Sequence, residues 1–186
     1  PNPKTSGNGQ LSFYAAWGSV TTRGGTEEQA REYVTELYKH VKVMDTGARA
    51  ATATFVEKKR GDVHLAWENE ARREVEDAKG ELELVFPPVS IRAEPKVAVV
   101  DKNVDRKGTR AIAEAYLKYL ETEEAQNTIA RHFYRPSNDA VLKKNADKFP
   151  EIKLFTVNDI SKGWDDAFTK FIGTGGEFDK TYKKEG

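Results

Sequence analysis

Short apolar runs of strand type alternate along this chain with segments of helical period. No other feature constrains the fold as strongly, because the two periods bury different faces and must be stacked in layers. The strand-type runs lie at 41–44, 63–67, 82–86, 89–91, 97–100 and 152–155. Helical spacing is predicted over 7–17, 26–41, 50–59, 68–79, 109–120, 122–131, 139–149, 164–172 and 177–184. Thr26 followed by Gln29 has the form of a capping box, in which each side chain satisfies a backbone N–H at the helix start. Gly24-Gly25, Gly61-Asp62, Pro150 and Gly173-Thr174-Gly175-Gly176 punctuate the segments. Strands interleaved with helices predict an α/β layered fold. Open α/β sheets bind ligands where strands run through loops into helices. Three loops have that form, around Ser6-Gly7, around Gly47-Ala48 and around Trp67.

Charge and cysteine content remove several function classes. Lys+Arg and Asp+Glu are both 30, so the net charge is zero and gives no argument for nucleic acid or a membrane surface. No apolar run approaches the roughly 20 residues that cross a bilayer. The absence of cysteine excludes disulfides, thiolate catalysis and thiolate-bound metals, but does not fix the compartment. The chain opens on Pro1 without Met, as a processed protein or a fragment would.

Catalytic patterns are weak. His40, His64 and His132 stand apart, and none has metal-ligand spacing, so each is expected to be structural or solvated. Ser6 has no elbow of the G-x-S-x-G type and no adjacent base. The carboxylates of 68–70 and 74–77 read as solvated helix faces. The Gly-rich 173–176 stretch lacks the lysine of a phosphate loop and reads as a turn. Uncharged donors are better supplied. Ser6 can cap the 7–17 helix, and a helix start with a hydroxyl and free N–H groups suits an anion. Ser6, Gly7 and Asn8 form one donor cluster, Ala48 a second, and the Trp67 indole a third. The plain alternatives are an ordinary cap at Ser6 and a core tryptophan at Trp67. Arg49 can balance an anion's charge without touching it, or pair with a carboxylate at its own helix start.

Several strings occur in this order in one family. They are Asn2-Pro3-Lys4-Thr5-Ser6-Gly7, Ala15-Ala16-Trp17-Gly18, Asp45-Thr46-Gly47-Ala48-Arg49, and Gly61-Asp62-Val63 with Ala66-Trp67-Glu68-Asn69-Glu70-Ala71. Ala93-Glu94-Pro95 with Val97-Ala98-Val99-Val100-Asp101, and Phe133-Tyr134-Arg135-Pro136, follow. On these strings the chain resembles the periplasmic sulfate-binding proteins, the sulfate and thiosulfate receptors of ABC importers, over essentially all of its length.

The resemblance implies a type II periplasmic-binding-protein fold, with two lobes joined by a hinge that close on dehydrated sulfate. It implies a ligand and no cofactor: sulfate or thiosulfate held by the Ser6 hydroxyl, the Gly7, Asn8 and Ala48 N–H groups and the Trp67 indole, with Arg49 behind them. Asn8 stands where the family often has glycine; a backbone donor survives that change. Residues 1–88 are expected to form the lobe carrying these loops, and 89–186 to return through the Pro87-Pro88 hinge to the other lobe. The family also carries a further N-terminal stretch, so the fold is expected to be incomplete here. Exposed sheet edges would then pair with a missing N-terminal chain or a second copy. A membrane ABC permease and a periplasmic location are the other implied context, with no nucleic acid. The competing readings are a truncated fragment that binds nothing and an enzyme acting on sulfate or phosphate esters.

Overall fold

The computed structural model describes residues 1–182. Lys183 and Lys184, predicted as the end of the last helix, lie outside the described residues. The chain divides into two compact units. The first comprises 1–67, 73–93 and the described residues from Ile152 onward; the second comprises 68–72 and 94–151. The expected division at residue 88 thus meets a partition in which the C-terminal segment packs with the N-terminal one.

In the first unit, α1 (Gly7–Thr21) follows the opening loop, and α2 (Glu27–Lys39) packs against it. The capping box at α2 is formed: Thr26 N–H donates to Gln29 Oε1 at 2.9 Å and Gln29 N–H to Thr26 Oγ1 at 3.1 Å. Next come α3 (Ala48–Thr52), which runs on as a π-helical turn over Ala53–Glu57, and α4 (Glu68–Asp77), whose residues from Arg73 onward belong to this unit. The only ladder among the described residues pairs β1 (Val89–Ile91) with β2 (Lys153–Phe155), parallel, with Val89 opposite Lys153. α9 (Trp164–Ala167), a π-helical turn at Phe168–Ile172 and α10 (Glu177–Thr181) complete the unit.

An aromatic cluster holds these segments together. Trp17 lies four residues after Phe13 and three after Tyr14, so the three share one face of α1. Phe171 meets Trp17 at 5.2 Å and Tyr14 at 5.4 Å between ring centroids, and Phe178 meets Phe13 edge-on at 5.9 Å. Burial raises the Tyr14 hydroxyl to about 12, because a phenolate has no water in this core. Gly18 lets β2 approach: a Cβ there would stand 2.2 Å from the Phe155 ring. Arg31 grips the buried Glu177 carboxylate through Nε at 2.7 Å, tying α2 to α10.

The second unit holds α5 (Asp101–Lys107), α6 (Arg110–Leu120), α7 (Glu123–Arg131) and α8 (Asp139–Lys144). Its small core is Ala130, Val141 and Phe149 with Leu142. Polar groups do much of the fixing. Arg135 holds Glu68 through Nε at 2.6 Å and Nη2 at 3.2 Å, and donates to Pro150 O at 2.8 Å. Gln126 Oε1 accepts from the Ser137 and Asn138 N–H groups.

Four predicted strands do not form a ladder among the described residues: 41–44, 63–67, 82–86 and 97–100. Their patterning is visible, since Leu82, Leu84 and Phe86 are half-buried while Glu83 and Val85 are exposed. Patterning orients side chains, but a strand exists only where a neighbour takes its N–H and C=O groups. Helix α5 has no counterpart among the predicted segments, and the helix predicted over 139–149 stops at Lys144, where Asn145 N–H turns back to Leu142 O.

Candidate anion site

The opening loop folds on Asn2. The Asn2 carbonyl accepts from the Thr5 and Ser6 N–H groups at 3.1 and 3.0 Å, and its side-chain Oδ1 accepts from Lys4 N–H at 2.9 Å. This turn delivers Ser6, in extended conformation, to the N-cap of α1, where its Oγ accepts from Gly9 N–H at 3.3 Å. The expected cap is formed. That bond uses the Ser6 oxygen as an acceptor and leaves its O–H proton uncommitted. The N–H groups of Gly7 and Asn8 precede any intrahelical acceptor and meet no partner among the described residues. Asn8 is buried, and its Oδ1 also lacks a partner.

The second loop is stitched to the first. Asn2 N–H donates to Asp45 O at 2.7 Å, and Thr5 Oγ1 donates to Thr46 O at 2.8 Å. Gly47 is the cap of α3 and offers no side chain, so the N–H of Ala48 opens the helix unpartnered among the described residues. The Ser6-Gly7 and Gly47-Ala48 loops are therefore neighbours. Arg49 is exposed and makes no ion pair among the described residues. Trp67 is half-buried at the cap position of α4 and carries no side-chain cap. Among the described residues, no hydrogen bond joins Trp67 to the other two loops.

The charge of Lys4, within the opening loop, is engaged elsewhere. The Lys4 ammonium is engaged by Ile172 O at 2.5 Å, Gly173 O at 3.2 Å and Asp179 Oδ1 at 2.7 Å. Lys4, helped by the Gly175 N–H, in turn holds the Asp179 carboxyl below the usual range. The lysine inside the loop thus spends its donors on the C-terminal segment.

The Ser6 hydroxyl has no histidine or carboxylate partner among the described residues. Nor do these residues contain a group of three His, Asp or Glu side chains able to hold a metal. No helix among them is long and apolar enough to cross a membrane. Two readings of carboxylates are corrected. Glu74, expected on a solvated face, is about nine-tenths buried and bonded to Thr52 and His64. Glu68 is mostly buried beneath Arg135. Nothing in the local spacing shows either pairing, because both partners are brought in from other elements.

Uncharged donors set at helix starts on an α/β frame suit the binding of an anionic solute. The chain belongs to the bacterial extracellular solute-binding protein family, whose model matches residues 1–135. It is 48% identical over 183 residues to the thiosulfate-binding protein of Pseudomonas aeruginosa, covering 98% of this chain and 55% of that protein. It is 46% identical over 186 residues to the sulfate-binding protein of Salmonella typhimurium, covering 99% of this chain and 56% of that one. Among solved structures, the sulfate-binding protein SubI from Mycobacterium tuberculosis superposes with a TM-score of 0.74 at 27% identity, over 92% of this chain and 58% of that one. The α/β fold is therefore that of a sulfate-binding protein, and the chain spans about half the length of the curated relatives it matches.

Proposed function

We propose that this chain is part of a periplasmic receptor that binds sulfate or thiosulfate and hands it to a membrane ABC permease, without catalysing a reaction and without a cofactor. One observation carries the reading. The unpartnered N–H groups of Gly7, Asn8 and Ala48, with the Ser6 hydroxyl, open from two helix starts stitched together by the Asn2–Asp45 and Thr5–Thr46 hydrogen bonds. Aligned peptide dipoles add about half a positive charge at each start, so an anion is held without a contacting cation. The names of the relatives support sulfate and thiosulfate as ligands. In this reading the first unit is the lobe that carries the donors, Trp67 adds its indole N–H, and Arg49 balances charge from a distance.

A site whose contacts to the anion are all donors discriminates by protonation. Hydrogen phosphate would bring its own O–H against a donor and leave it unpaired, whereas sulfate is fully ionised. Titration calorimetry is expected to show sulfate bound more tightly than phosphate at neutral pH. Trp67→Phe is expected to weaken sulfate by about 1.5–3 kcal/mol, the loss of one hydrogen bond to a charged group. Equal affinities for the two anions would sink the selectivity argument, and an unchanged sulfate affinity would remove Trp67 from the site.

A second reading concerns partners. Within the second unit, Val97, Val99, Val100, Val104, Tyr116 and Leu117 line an open groove of about 630 Å³. The strand-patterned 97–100 segment beside it has no ladder among the described residues, and Val97 and Val100 are well exposed. Such an edge pairs readily with a strand from elsewhere. The chain is expected to associate with a companion chain or a second copy. Light scattering on the purified chain checks this, and a monodisperse species at 20.9 kDa would refute it.

A further inference from the structure

We infer that Glu74 is a positioning residue for the anion site, its one carboxylate coupling Ala48 to Trp67. The inference rests on the donor assignment proposed above for those two residues. Glu74 lies in α4, seven residues after Trp67 in the sequence. Its Oε1 accepts from Thr52 Oγ1 at 2.8 Å, and its Oε2 pairs with His64 Nδ1 at 3.0 Å. Thr52 stands four residues, one helical turn, beyond Ala48 in α3. His64 stands three residues before Trp67 in the segment that enters α4. The carboxylate therefore bridges the helix that opens at Ala48 and the segment that delivers Trp67.

Burial makes the bridge stiff. The His64 and Glu74 side chains are each one-tenth exposed, and the Phe55 ring, from the π-helical turn after α3, lies 5.4 Å from the imidazole. In such a site an abandoned donor or acceptor is costly, so the three groups hold one arrangement. Two donors that face one small anion must be held within a fraction of an ångström, and neither Ala48 nor Trp67 has a side-chain cap to do this. Glu74 supplies the missing constraint from behind.

Three variants of the chain test this, each with two readouts. Glu74→Leu removes both acceptors at similar volume. Glu74→Gln keeps one acceptor for the imidazole N–H and offers its amide N–H to the Thr52 oxygen. Thr52→Val removes one link only. In nitrogen-15 spectra without sulfate, Glu74→Leu is expected to shift the Ala48 amide and the Trp67 indole resonances together, leaving the Trp17 and Trp164 indoles in place. Glu74→Gln is expected to restore both positions. With sulfate, Glu74→Leu is expected to weaken binding about tenfold or more and Glu74→Gln by less than about threefold. If Glu74→Leu does not fold, Thr52→Val decides the matter through the Ala48 amide, and an unmoved resonance there overturns the coupling. Unmoved Ala48 and Trp67 resonances in folded Glu74→Leu overturn it whatever sulfate does. Resonances that move in a chain whose wild type binds no sulfate uphold the coupling and overturn the donor assignment instead.

Discussion

Phe171→Ala is expected to lower the stability of the first unit by about 3–5 kcal/mol, the range for emptying a buried aromatic site. Native domains are stable by only about 5–15 kcal/mol, so this loss approaches unfolding. Phe171 is fully buried and touches Phe13, Tyr14 and Trp17 on α1 at once. It also belongs to the π-helical turn of the C-terminal segment. Its ring therefore welds two segments that are about 150 residues apart in sequence, and loop closure over that length must be repaid by such contacts. Denaturant unfolding followed by the fluorescence of the buried Trp17 checks the prediction. A loss below about 1 kcal/mol would show that α1 and the C-terminal segment are held by something other than this aromatic cluster.

The second large effect is expected at Gly9. Alanine is the better helix former by about 1 kcal/mol, so propensity alone predicts that Gly9→Ala stabilises α1. The packing says otherwise. A Cβ at Gly9 would stand 2.6 Å from Pro1 O and 2.7 Å from Asn2 C, and these are backbone atoms that no rotamer change can move aside. Overpacking of this kind costs about 1–3 kcal/mol or more, which outweighs the propensity gain. The displaced Asn2 is the residue whose carbonyl shapes the Ser6 turn and whose N–H reaches Asp45. Gly9→Ala is thus expected to lower the melting temperature and to weaken sulfate binding together. Gly7→Ala is the control, because a Cβ there meets nothing within 4 Å and no loss of stability follows. If Gly9→Ala raises stability, the opening loop does not lie on α1.

Much of this architecture is legible in the chain itself. The Thr26 and Gln29 capping box, the apolar face of α2 and the helix opening at Gly7 are local properties, set by side chains within one or two turns of each other. The strand at 152–155 and the run at 89–91 are visible as apolar runs, and the family strings point to sulfate recognition. The runs at 41–44, 63–67, 82–86 and 97–100 are equally strand-like, yet no ladder forms there among the described residues. Apolar alternation records which side of a segment is buried, whereas ladder formation depends on a partner that the local sequence does not name.

The site divides along the same line. Ser6, Gly7, Asn8 and Ala48 can be marked as donors by the sequence alone, because a helix start and its cap are local events. That the two loops lie together was decided by tertiary contacts, the Asn2–Asp45 and Thr5–Thr46 hydrogen bonds, which span about 40 residues. Nothing near Lys4 in the sequence says where its charge goes; the ammonium is taken by Ile172, Gly173 and Asp179 from the far end of the chain. Glu74 reads as one more solvated carboxylate, and only the fold encloses it between Thr52 and His64. Local sequence determined which residues offer neutral donors at helix starts; long-range packing determined which of them are adjacent and held in place. The physical reason is that donor chemistry resides in single residues, whereas burial and pairing arise between residues that only folding brings into contact.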